Sequence, residues 1–454
     1  MERVITKDQP LASGVNLHRG EEQRYRARTP RSRELLERTR ALVPTGHGGG
    51  MWYQLPYPVM LERAKGTQVW DVDGNEYVDM RIGDWVMVHG HCNERIREAV
   101  HEQMGRAVQF GCPEWDLAYR LGSLIQERMP SIEKLRYMAS GTETNLLALR
   151  LARAYTGRTK LAKAVGSYHG IADILIAGTP SIRYVDTDLP PGVTPGVAQD
   201  VVEYPYNDPD GMEEVISAKA DEIAALIVEP VLGASGMIPA TPEFIQRLRE
   251  VTERHGIVFI FDEVVTFPMH YGGAQAYFGV RPDLTTMSKV IGGGLPVAAL
   301  GGSAEIMNQL EPTLHGGRAP VTAAATFGGN VTGLAAGIAC LEMLTPEVHD
   351  HIHAMGDRMR AGIDALGNRY GIPLHATGAG HLAGLHWAEE RVVDFETKTR
   401  GDDGKITNLV MALMNDGWFT FSFGYLLLSR LMDGHKVDEL LSALERGLHA
   451  VELA

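Results

Sequence analysis

Hydrophobic and polar positions along the chain follow two grammars. Residues 65–80, KGTQVWDVDGNEYVDM, alternate apolar and polar side chains on either side of Asp73-Gly74. A period of two interrupted by Asp-Gly predicts a two-stranded hairpin. From about residue 93 the pattern changes to helices separated by short apolar runs. Residues 144–157, TNLLALRLARAYTG, place apolar side chains at helical spacing and close on a glycine, which predicts a helix with its stop signal. The runs AALIVEPV (224–231), GIVFIFDEV (256–264) and VAALGG (297–302) are continuously apolar and bounded by turn residues. Strands of that kind are covered on both faces, as in a mostly parallel sheet wrapped by helices. Past about residue 332 helical patterning returns, with one strand-like run at YLLLS (425–429). Near the start, SRELLERTRALVP predicts a surface helix ending near Pro44. The expected architecture is α/β: a large domain with a mostly parallel central sheet wrapped by helices, plus a smaller α+β domain made from both chain ends. The expected division is 1–88 for the N-terminal segment and part of the small domain, 89–335 for the large domain, and 336–454 for the C-terminal part of the small domain.

Composition narrows the class. With 44% hydrophobic and 22% charged residues over 454 positions, most of the chain is globular rather than disordered. A formal charge of -14 argues against a nucleic-acid partner, which needs a basic face. Cys92, Cys112 and Cys340 are widely spaced and odd in number, so neither a disulfide framework nor a CxxC metal site is expected, and each reads as a small buried hydrophobe. No run reaches the ~18 apolar residues of a membrane helix, and the opening MERVITKDQP lacks the apolar core of a signal peptide. The arginine-rich stretch 24–40 carries Glu34 and Glu37, whereas transit sequences are poor in acids. A cytoplasmic protein with no membrane and no metal is expected.

Four clusters carry candidate chemistry. Ser140-Gly141-Thr142-Glu143 follows the strand-like KLRYMA and opens the helix of 144–157. Free backbone N–H groups, hydroxyls and the positive end of the helix dipole suit an anion there, most naturally a phosphate, although serine and threonine at such a place also serve as ordinary caps. Asp262 ends the buried run VFIFD, where a carboxylate is costly unless paired or functional; it reads either as half of a buried salt bridge or as the partner of a protonated ring nitrogen at a ligand-binding strand end. Lys289, one of only ten lysines, lies between an apolar segment and Gly292–Gly294, a run that lets backbone approach a ligand closely. A lysine in a buried pocket has a depressed pKa and can form a Schiff base. Tyr168, in Ser167-Tyr168-His169-Gly170, is placed either to stack on a flat ring or to sit in the core with its hydroxyl tied off. Phosphate cup, ring-nitrogen carboxylate and Schiff-base lysine together are what a pyridoxal phosphate site requires.

The ordered set SGTETN (140–145), GSYHG (166–170), VEPVLGASG (228–236), FDEVV (261–265), PDLTTMSKVIGGGLP (282–296) and TFGGN (326–330) resembles the class III pyridoxal-phosphate aminotransferases. Within them the chain looks most like the branch of glutamate-1-semialdehyde aminomutase and the β-phenylalanine and ω-aminotransferases. The resemblance implies a fold type I homodimer with its active site at the subunit interface. The cofactor is pyridoxal 5'-phosphate, with pyridoxamine 5'-phosphate carrying the amino group between half-reactions. Carried over position by position, Lys289 holds the cofactor as a Schiff base and shuttles the proton, and Asp262 pairs with the pyridine nitrogen. Tyr168 stacks on the ring with His169 beside it, while Val264 and Val265 line the opposite face. Ser140, Gly141 and Thr142 hold the phosphate, Thr326 reaches it from the partner subunit, and Glu229 lies near the ring hydroxyl or plays a structural part.

The chain departs from that branch where substrate is expected. The aminomutase carries an arginine where PTGHGGGMWYQ (44–54) stands here, with Trp52 or a neighbour at its place. The aminomutase's C-terminal glutamate and the arginine of the β-phenylalanine enzymes find no counterpart in FTFSFGYLLLS (419–429), where Phe423 stands. Trp52, Tyr53 and Phe423 are therefore the candidate substrate residues, and an apolar or aromatic amino donor is expected, with a keto acid such as pyruvate as acceptor. Arg81, Arg391 and Arg430 are candidates by position for its carboxylate. Intramolecular transfer, as in the aminomutase, is the alternative. Residues 178–198, rich in proline and glycine, are expected to form a lid.

Overall fold

The computed structural model describes residues 15–46, 53–111, 116–178 and 189–453. Trp52, Cys112 and residues 179–188 of the expected lid lie outside them. Seven strands build the central sheet: β1 (Lys134–Met138), β2 (Lys160–Ala164), β3 (Val201–Tyr204), β4 (Ile223–Val228), β5 (Val258–Asp262), β6 (Leu284–Met287) and β7 (Ala298–Gly302). Their spatial order is β1-β7-β6-β5-β4-β2-β3. Neighbours run parallel except at β7, which is antiparallel to both β6 and β1. Every side chain of β4 and β5 is buried, because helices cover both faces of the sheet, and this is why their sequences show no alternation.

Helix α1 (Gly141–Thr156) follows β1 and buries Leu147, Ala148, Leu149, Leu151 and Ala152. A fully buried leucine contributes roughly 1.5–3 kcal/mol, so this face alone anchors the helix on the sheet. Ser140 caps its start, accepting from the Glu143 N–H, and Gly157 ends it in the left-handed conformation at φ 71°, as the glycine stop predicted. The three glycines after Lys289 serve a different purpose from the one expected. Gly293 has φ +59°, and a Cβ there would meet the Ala336 carbonyl oxygen at 2.5 Å, so this glycine lets the turn seat against helix α2 (Val331–Met343); a Cβ at Gly292 would face Val297 and one at Gly294 would face Met87, and none of the three lines the cavity described below.

The chain ends meet in the smaller α+β part. Strands Leu61–Lys65, Gln68–Asp71 and Glu76–Asp79 form an antiparallel meander, with Gly74 of the hairpin turn at φ +88°. Trp418–Phe419 adds in parallel to Glu76–Asp79. A second sheet joins Leu374–Thr377, Leu382–Trp387 and Tyr425–Leu427. The N-terminal helix Pro30–Arg40 buries Ser32 and Leu36, so one face of it is core rather than surface. Cys340 is buried as expected, but Cys92 is exposed. Among the described residues no single helix is long and apolar enough to cross a membrane.

Candidate active site

Strands β5 and β6 and the head of α1 all end at one cavity of about 490 Å³. Such a place, outside the carboxyl ends of parallel strands, is where open α/β sheets bind ligands. Asp262, the last residue of β5, is buried at 4% exposure. Its Oδ2 accepts from Asn145 Nδ2 and from His169 Nδ1, both at 2.8 Å, and its Oδ1 accepts from the Val264 N–H at 3.1 Å. The carboxylate is thus held rigidly from behind, with lone-pair capacity left on Oδ1. His169 is buried against it, and burial outweighs the Asp262 hydrogen bond, so its pKa is lowered.

Lys289 follows β6 at φ +54°, a left-handed conformation that costs a non-glycine residue roughly 1–3 kcal/mol. Its Nζ lies 5.4 Å from the centre of the Trp85 ring. Burial lowers its pKa, against the opposing pull of Asp262, Glu229 and Asp84. At the head of α1, Gly141 and Thr142 have no intrahelical partner for their N–H groups, being in the first turn. A Cβ at Gly141 would press on Val264 at 3.1 Å, and one at Gly170 (φ +118°) would meet the Thr142 hydroxyl at 2.4 Å. The cup stays open because both positions are glycine.

Tyr168, Val264 and Val265 line the cavity as expected. Glu229 accepts from the Tyr168 N–H at 2.7 Å and the Gly233 N–H at 3.1 Å; burial first, then the Asp262 carboxylate, push its pKa up to about 8. It therefore fixes the loops on either side of the cavity while also lining it. Thr326 is exposed and away from this chain's cavity, in a groove with Gln109, Phe110 and Tyr119. Tyr53 and Phe423 are also outside it: Tyr53 bonds Arg40 through its hydroxyl, and the half-buried Phe423 packs beside Tyr425 against the core. Arg391 pairs with Asp364 at the surface.

Three contributors escaped the sequence reading. Asn145 belongs to the quoted SGTETN run, one helical turn past Gly141, and that spacing was the available signal. Asp84 and Trp85 come from a turn in which Ile82, Gly83, Asp84 and Trp85 have φ of 42°, 61°, 60° and 68°. Four consecutive left-handed residues leave no hydrophobic periodicity to detect. The turn is pinned by Asp79, whose carboxylate accepts from the N–H groups of Arg81 (2.8 Å) and Gly83 (2.9 Å) and pairs with His91 (2.7 Å). Trp85 then stacks at 4.3 Å on Phe421 and forms the aromatic wall opposite the lysine.

An anion cup, a clamped acid and a lysine of depressed pKa in one cavity are the donor set that pyridoxal phosphate needs, and on this sheet they mark a fold type I enzyme of that cofactor. Residues 52–448 match the family model described as aminotransferase class-III; the chain belongs to that family and is a pyridoxal-phosphate-dependent transaminase. It is 42% identical over 341 residues to glutamate-1-semialdehyde 2,1-aminomutase 1 of Bacillus cereus (strain G9842), covering 75% of this chain and 78% of that protein. An ω-transaminase from Sphaerobacter thermophilus superposes with a TM-score of 0.87 at 36% identity, over 93% of this chain and 98% of the other. A β-phenylalanine aminotransferase from Variovorax paradoxus gives 0.88 at 32% identity, over 95% and 96%.

Proposed function

We propose that the protein transfers an amino group from an apolar or aromatic amine or β-amino acid to a keto acid such as pyruvate, in two half-reactions at this cavity. The observation that carries the reading is the cavity's lining: among the described residues it holds no arginine, and the wall facing Lys289 is the Trp85 ring backed by Phe421. A carboxylate next to the reacting carbon finds no two-pronged partner there, whereas an apolar substituent finds an aromatic surface.

When bound, pyridoxal phosphate supplies the electron sink that lets the donor's C–H bond break and stores its amino group between half-reactions. Lys289 Nζ would hold the cofactor, and the same amine, its pKa lowered by burial, would carry the proton between carbons. Asp262 keeps the ring nitrogen protonated, while Asn145 and His169 hold its carboxylate in line. Ser140, Gly141 and Thr142 would bind the phosphate, and Tyr168, Val264 and Val265 would pack against the ring. Trp85 excludes water beside the lysine. The exposed apolar residues Val108, Phe110, Tyr119 and Phe327 beside Thr326 support a homodimer in which each Thr326 completes the partner's phosphate site.

The 42% identity to the Bacillus cereus aminomutase favours a second reading, intramolecular transfer. A panel of single donors added to holoenzyme without keto acid separates them. Loss of the cofactor's visible absorption with release of a ketone, reversed by pyruvate, is the expected result. Reaction of glutamate 1-semialdehyde alone, giving 5-aminolevulinate without a keto acid, would establish the aminomutase.

A further inference from the structure

Beside the cofactor cavity lies a second one of about 500 Å³. The two share a single lining residue, Asp84. The second cavity's lining includes Arg63, which lies over the Trp70 ring, and Arg81 and Gln54, two hydrogen-bond donors with capacity to spare. Gln54 is 5% exposed, and its Nε2 has no hydrogen-bond partner; a buried unpaired amide is costly and marks a place where a partner is expected. Arg81 lies flat against Phe421 and Phe419, at 4.4 and 5.0 Å from their ring centres. Its Nε and one terminal nitrogen donate to a single oxygen of Asp84, at 3.0 and 2.6 Å, leaving the other terminal nitrogen free to donate.

Of the three acids lining this cavity, Glu62 is exposed to solvent and the other two are engaged. Asp79 is taken by the two amides and His91, and Asp84 by Arg81. The Asp84 side chain is 48% exposed, so this pair is in a solvated setting where ion pairs are weak, and a second carboxylate can share or take the guanidinium.

We propose that this second cavity is the subsite for a substrate carboxylate, with the Arg81 guanidinium and the Gln54 amide as its donors and Asp84 as the group it displaces. The proposal rests on the aminotransferase reading above. It supplies what that reading lacks, a cation for the keto acid in an enzyme whose cofactor cavity, among the described residues, has no lysine or arginine but Lys289. It also sorts substrates: a carbonyl or amine reacts beside Trp85, and its carboxylate is gripped only past Asp84.

The test compares substrate twins in holoenzyme carrying Gln54→Met or Arg81→Met. Pyruvate is paired with propanal as acceptor, and 3-amino-3-phenylpropanoate with 1-phenylpropylamine as donor. KM for the carboxylate member of a pair should rise tenfold or more while its carboxylate-free twin changes less than threefold; whichever pair splits shows which substrate brings the carboxylate. Binding of the unreactive 2-methylpropanoate to the wild-type holoenzyme, followed calorimetrically, should weaken to the same degree in Gln54→Met, the milder change. If both twins of each pair move together, or neither moves, the subsite is wrong although the transaminase stands. If the wild type converts only glutamate 1-semialdehyde, the parent reading has failed and the subsite with it.

Discussion

Lys289 has two duties that conflict in water. As a tether it must be a nucleophile, and as a proton carrier it must be uncharged when the donor arrives. An exposed lysine, with a pKa near 10.4, is almost wholly charged at neutral pH. Burial at the end of β6 lowers its pKa, and the nearby carboxylates of Asp262 and Glu229 pull the other way. Lys289→Ala should remove the tether and the proton carrier together: cofactor becomes dialysable, and kcat falls by about 10²–10⁴, read by absorption after dialysis and by single-turnover kinetics. A variant that retained both covalent cofactor and wild-type rate would refute the assignment. Asp262→Asn keeps the shape and removes the charge. The two side-chain donors on Oδ2, Asn145 and His169, still have an oxygen to bond and only the Val264 N–H loses its acceptor, so folding should persist while the half-reaction slows at least about 10²-fold, with the cofactor's absorption maximum shifted.

Among the elements, the left-handed turn 82–85 and the glycine turn 292–294 are opposite solutions to tight placement. Glycine at 293 accepts positive φ at little cost and lets α2 approach. The turn at 82–85 uses three non-glycine residues, each costing about 1–2 kcal/mol in that region, and relies on Asp79 to hold them. Asp79→Ala should therefore lose about 1–3 kcal/mol, measured by urea unfolding, and should blunt turnover because Asp84 and Trp85 lose their positions. Gly293→Ala should destabilise the fold at least as much through its clash with Ala336, measured in the same way, with KM values of the folded fraction unchanged. These two turns also mark what was legible in the sequence. The cup at 140–142, Asp262 and Lys289 could be read because each chemical group follows a strand whose apolar run is visible locally. The left-handed turn could not, because what selects it is Asp79 and the packing of Trp85 on Phe421, a residue more than 300 positions away in sequence. The glycine run is a similar case: sequence shows that backbone comes close to something there, and at Gly293 the something is a helix.

Across the whole molecule, a core this large has buried ionisable groups whose protons decide how stability follows pH. His381 and His386 have pKa values pushed down to about 3, and His89 and His349 to about 4, each chiefly by burial. In the unfolded chain they titrate near 6.5, so below that pH the unfolded state binds more protons and stability falls as pH drops. Glu229 and Glu263 act in the opposite sense. Burial raises them to about 8 and about 7, so they bind protons in the folded state first; they stabilise as pH falls towards 4.5 and destabilise as it rises through 7 to 8. These four histidines outnumber the two glutamates, so stability should fall as pH drops below 6.5, while the glutamates draw it down from about 7 to 8, giving a local maximum between roughly pH 6.5 and 7; above about 8 Lys163, its pKa lowered to about 8 by burial, works in the opposite direction. Glu263 is away from the cofactor cavity; one carboxyl oxygen accepts from the Ala274 N–H and the other from the Gln275 N–H, so glutamine keeps one of the two bonds and gives up the other at about 1–3 kcal/mol, a loss that does not depend on pH. Glu263→Gln should therefore fold, lose its share of the alkaline decline, and steepen the acid side by one proton, about 1.4 kcal/mol per pH unit between 6.5 and 4.5. Urea midpoints measured at half-unit intervals from pH 4.5 to 8.5 read both effects. An unchanged slope on the acid side of the variant would mean that Glu263 is ionised in the native protein and that its buried carboxylate is compensated by a charge other than its own proton.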